Sequence, residues 1–279
     1  MIEAMRMRKS IRTFKKTSLT VDDISIITSI LKKTESCKGP FGNSAQFFIY
    51  INDPLKGGES KKIGTYGFVK NAPAFIGGRI QNSFEAMIDF GFLFEKIILE
   101  LTKKGYGTVW LGGSFHREDF VQFIKNDEII PCISPVGYAA EKSTIMDHMI
   151  RAATKANHRK PFVTLFFENT FDCPISENLS VKNSIDILLN LVRLAPSASN
   201  HQPWRILVRE NEFAFFLKRT PNYATSLSYD IQGVDMGIAI CHFMLALDEN
   251  KMNYSILKSE LNNNFQDDLI YILSFSLDK

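Results

Sequence analysis

The chain is poor in cysteine, tryptophan and net charge, and it lacks any long apolar run. Its four cysteines among 279 residues, Cys37, Cys132, Cys173 and Cys241, are widely scattered. No CxxC and no Cys/His ligand spacing occurs, so neither a zinc site nor a disulfide framework is indicated. A reducing compartment, the cytoplasm, is the simplest expectation. No uninterrupted apolar stretch approaches the ~20 residues of a membrane span, so no membrane partner is expected. The start, Met1 to Lys16, is basic without the apolar core of a signal peptide. A net charge of +3 is too small to imply nucleic acid. The five histidines, His116, His148, His158, His201 and His242, form no HExxH and no ligand pair. There is no GxSxG and no Walker loop, so no bound metal and no serine nucleophile are expected.

What remains is globular material. Hydrophobic residues make up 45% and charged residues 23%. That supports a sizeable core and, at this length, roughly two domain-sized units. Phe is abundant at 23 residues, which suits aromatic cores or a site for a flat ligand. Charge is uneven along the chain. Residues 1–170 carry 24 Lys and Arg against 17 Asp and Glu, a net of +7; residues 171–279 carry 9 against 13, a net of −4. The basic first part suits a small anion, or simply a solvated face.

The spacing of Val21, Ile24, Ile27 and Leu31 predicts a helix over 21–33, with Thr20 and Asp23 as its N-cap pair. Residues 45–51 read as a strand and 53–67 as a polar, glycine-rich loop. Asn82 with Glu85 caps a second helix over 84–104, and Gly105 stops it. Residues 129–138 and 162–167 read as strands, and 173–178 as a linker. Beyond it the order repeats: a helix over 181–194 capped by Ser180, a strand over 204–209, a helix over 231–250 and a strand over 269–277. The offsets support a degenerate duplication. Pro40 and Gln46 meet Pro196 and Gln202 at a constant 156 residues; Asp89 and Gly91 meet Asp235 and Gly237 at 146. Asp89 and Asp235 hold equivalent helix positions, and structural hydrogen-bonding roles suit them better than catalysis.

Four segments bear on chemistry. In RKSIRTF (8–14), an extended backbone puts Arg8, Ser10 and Arg12 on one face, suited to a phosphate or another anion; alone it reads equally as a solvated basic start. APSASNHQPW (195–204) makes a fixed turn with free amides and short polar side chains, fit for the edge of a planar heterocycle or for a plain helix-to-strand connection. GYGTVWLGG (105–113) is no dinucleotide fingerprint, because it follows a helix rather than opening one. His158-Arg159-Lys160-Pro161 precedes a strand and faces either an anion or water.

In this order, these segments and VGYAAE (136–141) resemble the nitroreductase family of flavoproteins over most of the chain, with APSASNHQPW the most specific match. In that family two identical chains intertwine and hold FMN at their interface. Here RxSxR, GYGTVWLGG and RKP occur only in the first half and intact PSASNxQPW only in the second; where GYG would recur stands Lys251-Met252-Asn253. The resemblance therefore implies an α+β, nitroreductase-like fold of the fused "TM nitroreductase" type. It would be a single-chain pseudo-dimer of two α/β halves, 1–172 and 173–279, with central, mostly antiparallel sheets flanked by helices. One complete flavin site per chain would result, with no homodimer required.

By matching positions the resemblance assigns the phosphate to Arg8, Lys9 and Ser10, with Arg159 and Lys160. Arg12 falls at the N1/O2 edge of the ring, where a cation favours the reduced flavin. Leu111, Gly112 and Gly113 supply backbone near the ring, and Pro196, Ser197, Ala198 and Asn200 flank it. No side chain is assigned as acid or base, since the flavin carries the electrons. The implied activity is FMN-dependent, with NAD(P)H as donor and a nitroaromatic, quinone or related small molecule as acceptor, in ping-pong order. Acceptor contacts are expected on the loops 53–70 and 217–232. The alternative is a flavin-binding or sensing protein with little turnover.

Overall fold

The computed structural model describes residues 1–52, 67–125, 127–141, 158–176, 184–258 and 268–278, with Leu55, Thr65, Asp147, Met149 and Ala152. Ser180, the start of its helix, most of the 53–67 loop, the end of the 173–178 linker and His148 lie outside the described residues.

Thr20 and Asp23 form the expected capping box, and α2 runs over Val21–Glu35. The next helix, α3 (Phe84–Lys103), is capped by Ser83, whose hydroxyl accepts from the Ala86 N–H. The expected cap, Asn82, instead donates to the Ser228 carbonyl. Asp230 caps α5 (Ile231–Glu249), accepting from the N–H groups of Gln232 and Gly233. Both α3 and α5 are apolar almost all round, as helices buried at the centre must be. Among the described residues α5 alone is long and apolar enough to cross a membrane, and 83% of that stretch is buried inside the protein.

The two long helices cross at matching glycines. A Cβ on Gly91 would collide with the Val234 carbonyl, and one on Gly237 with the Ile88 carbonyl. These are the same pair of positions seen from each side, the reciprocal contact of a two-fold interface. Their ends match as well. The N–H of Lys104 bonds Glu100 and that of Asn250 bonds Ala246; the N–H of Tyr106 bonds Leu101 and that of Met252 bonds Leu247. Gly105 and Lys251 both take positive φ, +86° and +56°.

Each half carries a sheet. The strands β1 (Gln46–Ile51), β2 (Ala74–Gln81), β5 (Ile133–Gly137) and β3 (Gly107–Thr108) pair antiparallel in the order β1-β2-β5-β3, with β4 (Glu128–Ile129) on β2. The second sheet runs β6-β7-β8-β10-β9, from β6 (Phe166–Glu168), β7 (Trp204–Arg209), β8 (Glu212–Lys218), β10 (Leu269–Leu277) and β9 (Tyr254–Leu257). Within this sheet, among the described residues, only the β6–β7 pair is parallel. β6 comes before the linker in sequence yet pairs beyond it. The helix α4 (Ser184–Arg193) packs on α5.

Several described elements escape the sequence patterns, the short strand β3 and a 3-10 helix at Arg117–Phe123 among them. Residues 2–7 form a short helix, α1 (Ile2–Met7), that buries Ala4 and Met5. β2 carries Gly77 and Gly78, which lower its apparent strand tendency while admitting the Phe48 and Phe47 rings against its backbone. β8 and β9 pair antiparallel with β10 from either side. The expected strand over 162–167 begins as a 3-10 turn, Phe162–Thr164. One core unites both halves around α3 and α5. A second aromatic cluster holds Phe14, Phe48, Phe75 and Phe120. Phe is thus abundant because it fills cores.

Candidate functional site

After α1 the chain is extended, and Ser10 pairs in parallel with Thr108 of β3. Alternation then sets Arg8, Ser10 and Arg12 on one side and exposed Lys9 on the other. Facing them is the turn 195–202. Asn200 N–H bonds the Ser197 carbonyl, and Gln202 N–H bonds the Ser197 hydroxyl at 2.8 Å. Ser199, Asn200 and Gln202 all take positive φ.

The His-Arg-Lys segment is laced to this turn. Asn200 donates to the His158 carbonyl, Gln202 Oε1 accepts from the Lys160 N–H, and Arg159 donates to the Leu194 carbonyl. Buried Gln202 thus fixes the turn, and Trp204 next to it is wholly buried.

Between these segments lies a half-open cleft. Arg8, Ser10, Arg12, Gly112, Arg159, Pro196, Ser197, Ala198 and Asn200 all line it. Four other expected residues stand outside the lining. Lys9 is exposed. Leu111 exchanges both backbone bonds with Ile133 and buries its side chain in the aromatic cluster. Gly113 is exposed. Lys160 sits near Arg205 and Lys218, where burial and those cations bring its amine down to about 8.

Val109, Trp110, Cys132, Ser199, Ile231, Val234, Asp235 and Ile238, none of them assigned to the flavin by the resemblance, complete the walls. Val109 and Trp110 sit inside GYGTVWLGG and Ser199 inside APSASNHQPW; Cys132 is a scattered cysteine and Asp235 the match of Asp89, and the α5 residues carry no local signal of a cleft. Trp110 is held from behind. Its Nε1–H donates to Glu95 at 2.8 Å, and Glu95 pairs with His242, whose Nδ1 meets the Leu191 carbonyl at 2.9 Å. Gly112 is held too: Arg117, stacked between Phe115 and Tyr229, donates to its carbonyl at 2.8 Å.

The electrostatics are those of a cationic cleft. Burial and the neighbouring Arg8 and Arg193 lower the Arg159 guanidinium to about 10, so it remains charged at neutral pH. Arg12 carries a counter-ion, with Nη1 2.9 Å from Asp147 Oδ1 and both side chains largely buried. Burial lifts the Cys132 thiol to about 12, so the sulfur stays protonated and unreactive. Three guanidiniums and a hydroxyl at a cleft walled by apolar side chains and a polar turn suit a phosphate joined to a planar ring.

A family model described as "Putative TM nitroreductase" matches residues 1–247. The chain belongs to that family. Its fold is nitroreductase-like, mixing helices with antiparallel sheets. A crystal structure of a putative nitroreductase from Thermotoga maritima MSB8 aligns over 99% of this chain and 92% of its own, with a TM-score of 0.58 and 22% identity. An FMN-dependent nitroreductase from Clostridium difficile R20291 aligns with 52% of this chain and 90% of its own, with a TM-score of 0.40 and 19% identity. No curated protein matches. Nitroreductase membership makes this an oxidoreductase in general terms.

Proposed function

We propose that the cleft binds FMN and that this nitroreductase is a flavin-dependent NAD(P)H oxidoreductase acting on nitroaromatic, quinone or related small acceptors in ping-pong order. The observation that carries the proposal is the convergence of Arg8, Ser10, Arg12 and Arg159 with the 196–200 turn on one cleft, although these groups are up to about 190 residues apart in sequence. Arg8, Ser10 and Arg159 would hold the phosphate. Pro196, Ser197, Ala198 and Asn200 would flank the ring, with the Gly112 backbone and the Trp110 wall across from them. Arg12 would face the N1/O2 edge, its charge moderated by Asp147. The bound flavin would supply hydride chemistry, and the protein would supply placement and field. The lining draws on both halves of the chain, Arg8 to Arg159 from the first and Pro196 to Ile238 from the second, which supports one FMN per chain with no homodimer needed.

Titrating FMN into the purified protein and following flavin fluorescence tests this directly. A stoichiometry near one is expected, with bleaching of the flavin on anaerobic NAD(P)H addition. Arg8→Ala with Arg12→Ala removes two charge-assisted contacts, about 1.5–3 kcal/mol each. FMN affinity should then fall at least ~100-fold. A protein that takes up no FMN ends the proposal.

A further inference from the structure

The two aspartates at matching positions of α3 and α5 use their oxygens differently. Asp89 is saturated: Oδ1 accepts from the Phe41 N–H at 2.8 Å, and Oδ2 from the N–H and side-chain amide of Asn43 at 2.8 and 2.9 Å. Asp235 Oδ1 accepts from the Ala198 N–H at 2.8 Å. Its Oδ2 is buried with no hydrogen-bond partner. Asp235 is only 2% exposed and lines the cleft.

A buried oxygen without a partner is costly, and in a native fold it calls for an explanation. The equivalent turn shows that this architecture can satisfy both oxygens from within. In the second half the turn leaves one oxygen unsatisfied on Asp235, a residue of the cleft that gathers the arginines. Burial, helped by Asp230, raises the Asp235 carboxyl well above the ordinary carboxylate range. Burial among groups that give Oδ2 no donor therefore favours the uncharged acid. Since Oδ1 accepts, the proton belongs on Oδ2, which makes that atom a donor.

We propose that Asp235 contacts the occupant of the cleft directly, its Oδ2–H donating a hydrogen bond to a carbonyl oxygen or unprotonated ring nitrogen of a planar heterocycle. This rests on the flavin reading of the site. Such a donor strengthens as negative charge builds on the ring acceptors, so it also favours the reduced ring. It selects for occupants that present an acceptor at that edge.

The test uses the full chain with FMN as probe. It combines binding by fluorescence with an infrared difference spectrum, FMN-loaded minus free. Asp235→Asn keeps an acceptor for Ala198 and a donor at the Oδ2 position; its FMN affinity should stay within about threefold of the wild type. Asp235→Leu removes the donor and should weaken FMN about tenfold or more. In the wild type the carbonyl band of a protonated carboxyl should shift when FMN binds, and the shift should vanish in both variants. A wild type that binds FMN without that shift overturns the assignment, even if Asp235→Leu binds weakly, because loss through the turn alone moves no such band. Equal losses in Asn and Leu overturn it too. A wild type that takes up no FMN instead sinks the flavin reading beneath it.

Discussion

The two turns that face α3 and α5 share a frame and differ at their corners. Their frames agree in detail. Thr108 pairs with Val136 and Leu111 with Ile133 on one side; Tyr254 pairs with Leu277 and Leu257 with Ser274 on the other. Those pairings extend the 146-residue offset past the helix ends. At the corner itself the halves diverge. Ser197, which lines the cleft, corresponds to Phe41, and Gly112 corresponds to Lys258. Lys258 Nζ lies 5.2 Å from the centre of the Phe41 ring. The first-half corner is thus filled by a ring and a cation over a saturated Asp89. The second-half corner is open, cationic around its rim and short of one hydrogen bond. The matching frames keep their backbone bonds because every buried amide must be paired, whereas the side chains at a corner carry no such constraint.

The frame can be attacked first, where the largest effect is expected. Gly91→Ala and Gly237→Ala each push a methyl into a backbone carbonyl of the opposite helix. Neither carbonyl can retreat without breaking its own helix, so each variant should lose about 3 kcal/mol or more. Urea unfolding measures both. The two costs should be close to equal; a markedly cheaper Gly237→Ala would mean that the crossing is not reciprocal.

Periodicity and capping exposed the frame well. The box at Thr20, the stop at Gly105 and the strand Trp204–Arg209 follow from local rules that tertiary packing had no reason to override. β2 was hidden because its paired glycines answer to Phe47 and Phe48, residues distant in sequence. The arginines and the turn were legible as motifs. The α5 wall was not, because Val234, Asp235 and Ile238 look like the interior of any apolar helix until the turn is seen above them. Asp235 is the sharpest case: sequence placed it beside Asp89 as a structural equal, and only the bonding of each oxygen separates the two.

A smaller effect distinguishes how the halves clamp their helices. Asp23 accepts from the hydroxyls of Tyr106 at 2.6 Å and Tyr138 at 2.7 Å. The counterpart of Tyr106 is Met252, which has no hydroxyl. Although burial pushes the other way, hydrogen bonds from the two tyrosines and Thr20 hold the Asp23 carboxyl at about 2. Its folded value lies below its unfolded one, so the stabilisation is complete above about pH 4 and is lost as pH falls through about 2. Asp23→Asn should cost about 2 kcal/mol at neutral pH. Its urea midpoint should also vary less than the wild type's between pH 4 and 2. Parallel midpoints across that window would remove the clamp from the first half.

The smallest effect lies at the closed corner and bears most directly on what fills it. Lys258→Ala removes a solvent-facing cation–ring contact and should cost about 0.5 kcal/mol. Phe41→Ser with Lys258→Gly goes further and gives the first-half corner the residues of its open counterpart. Space alone does not make a flavin site, however. The second half has no RxSxR to reach across, and Asp89 has no oxygen left to offer. The double variant should therefore fold and still take up a single FMN by fluorescence titration. A second equivalent bound would show that the plug, rather than the missing cations, had silenced the twin corner.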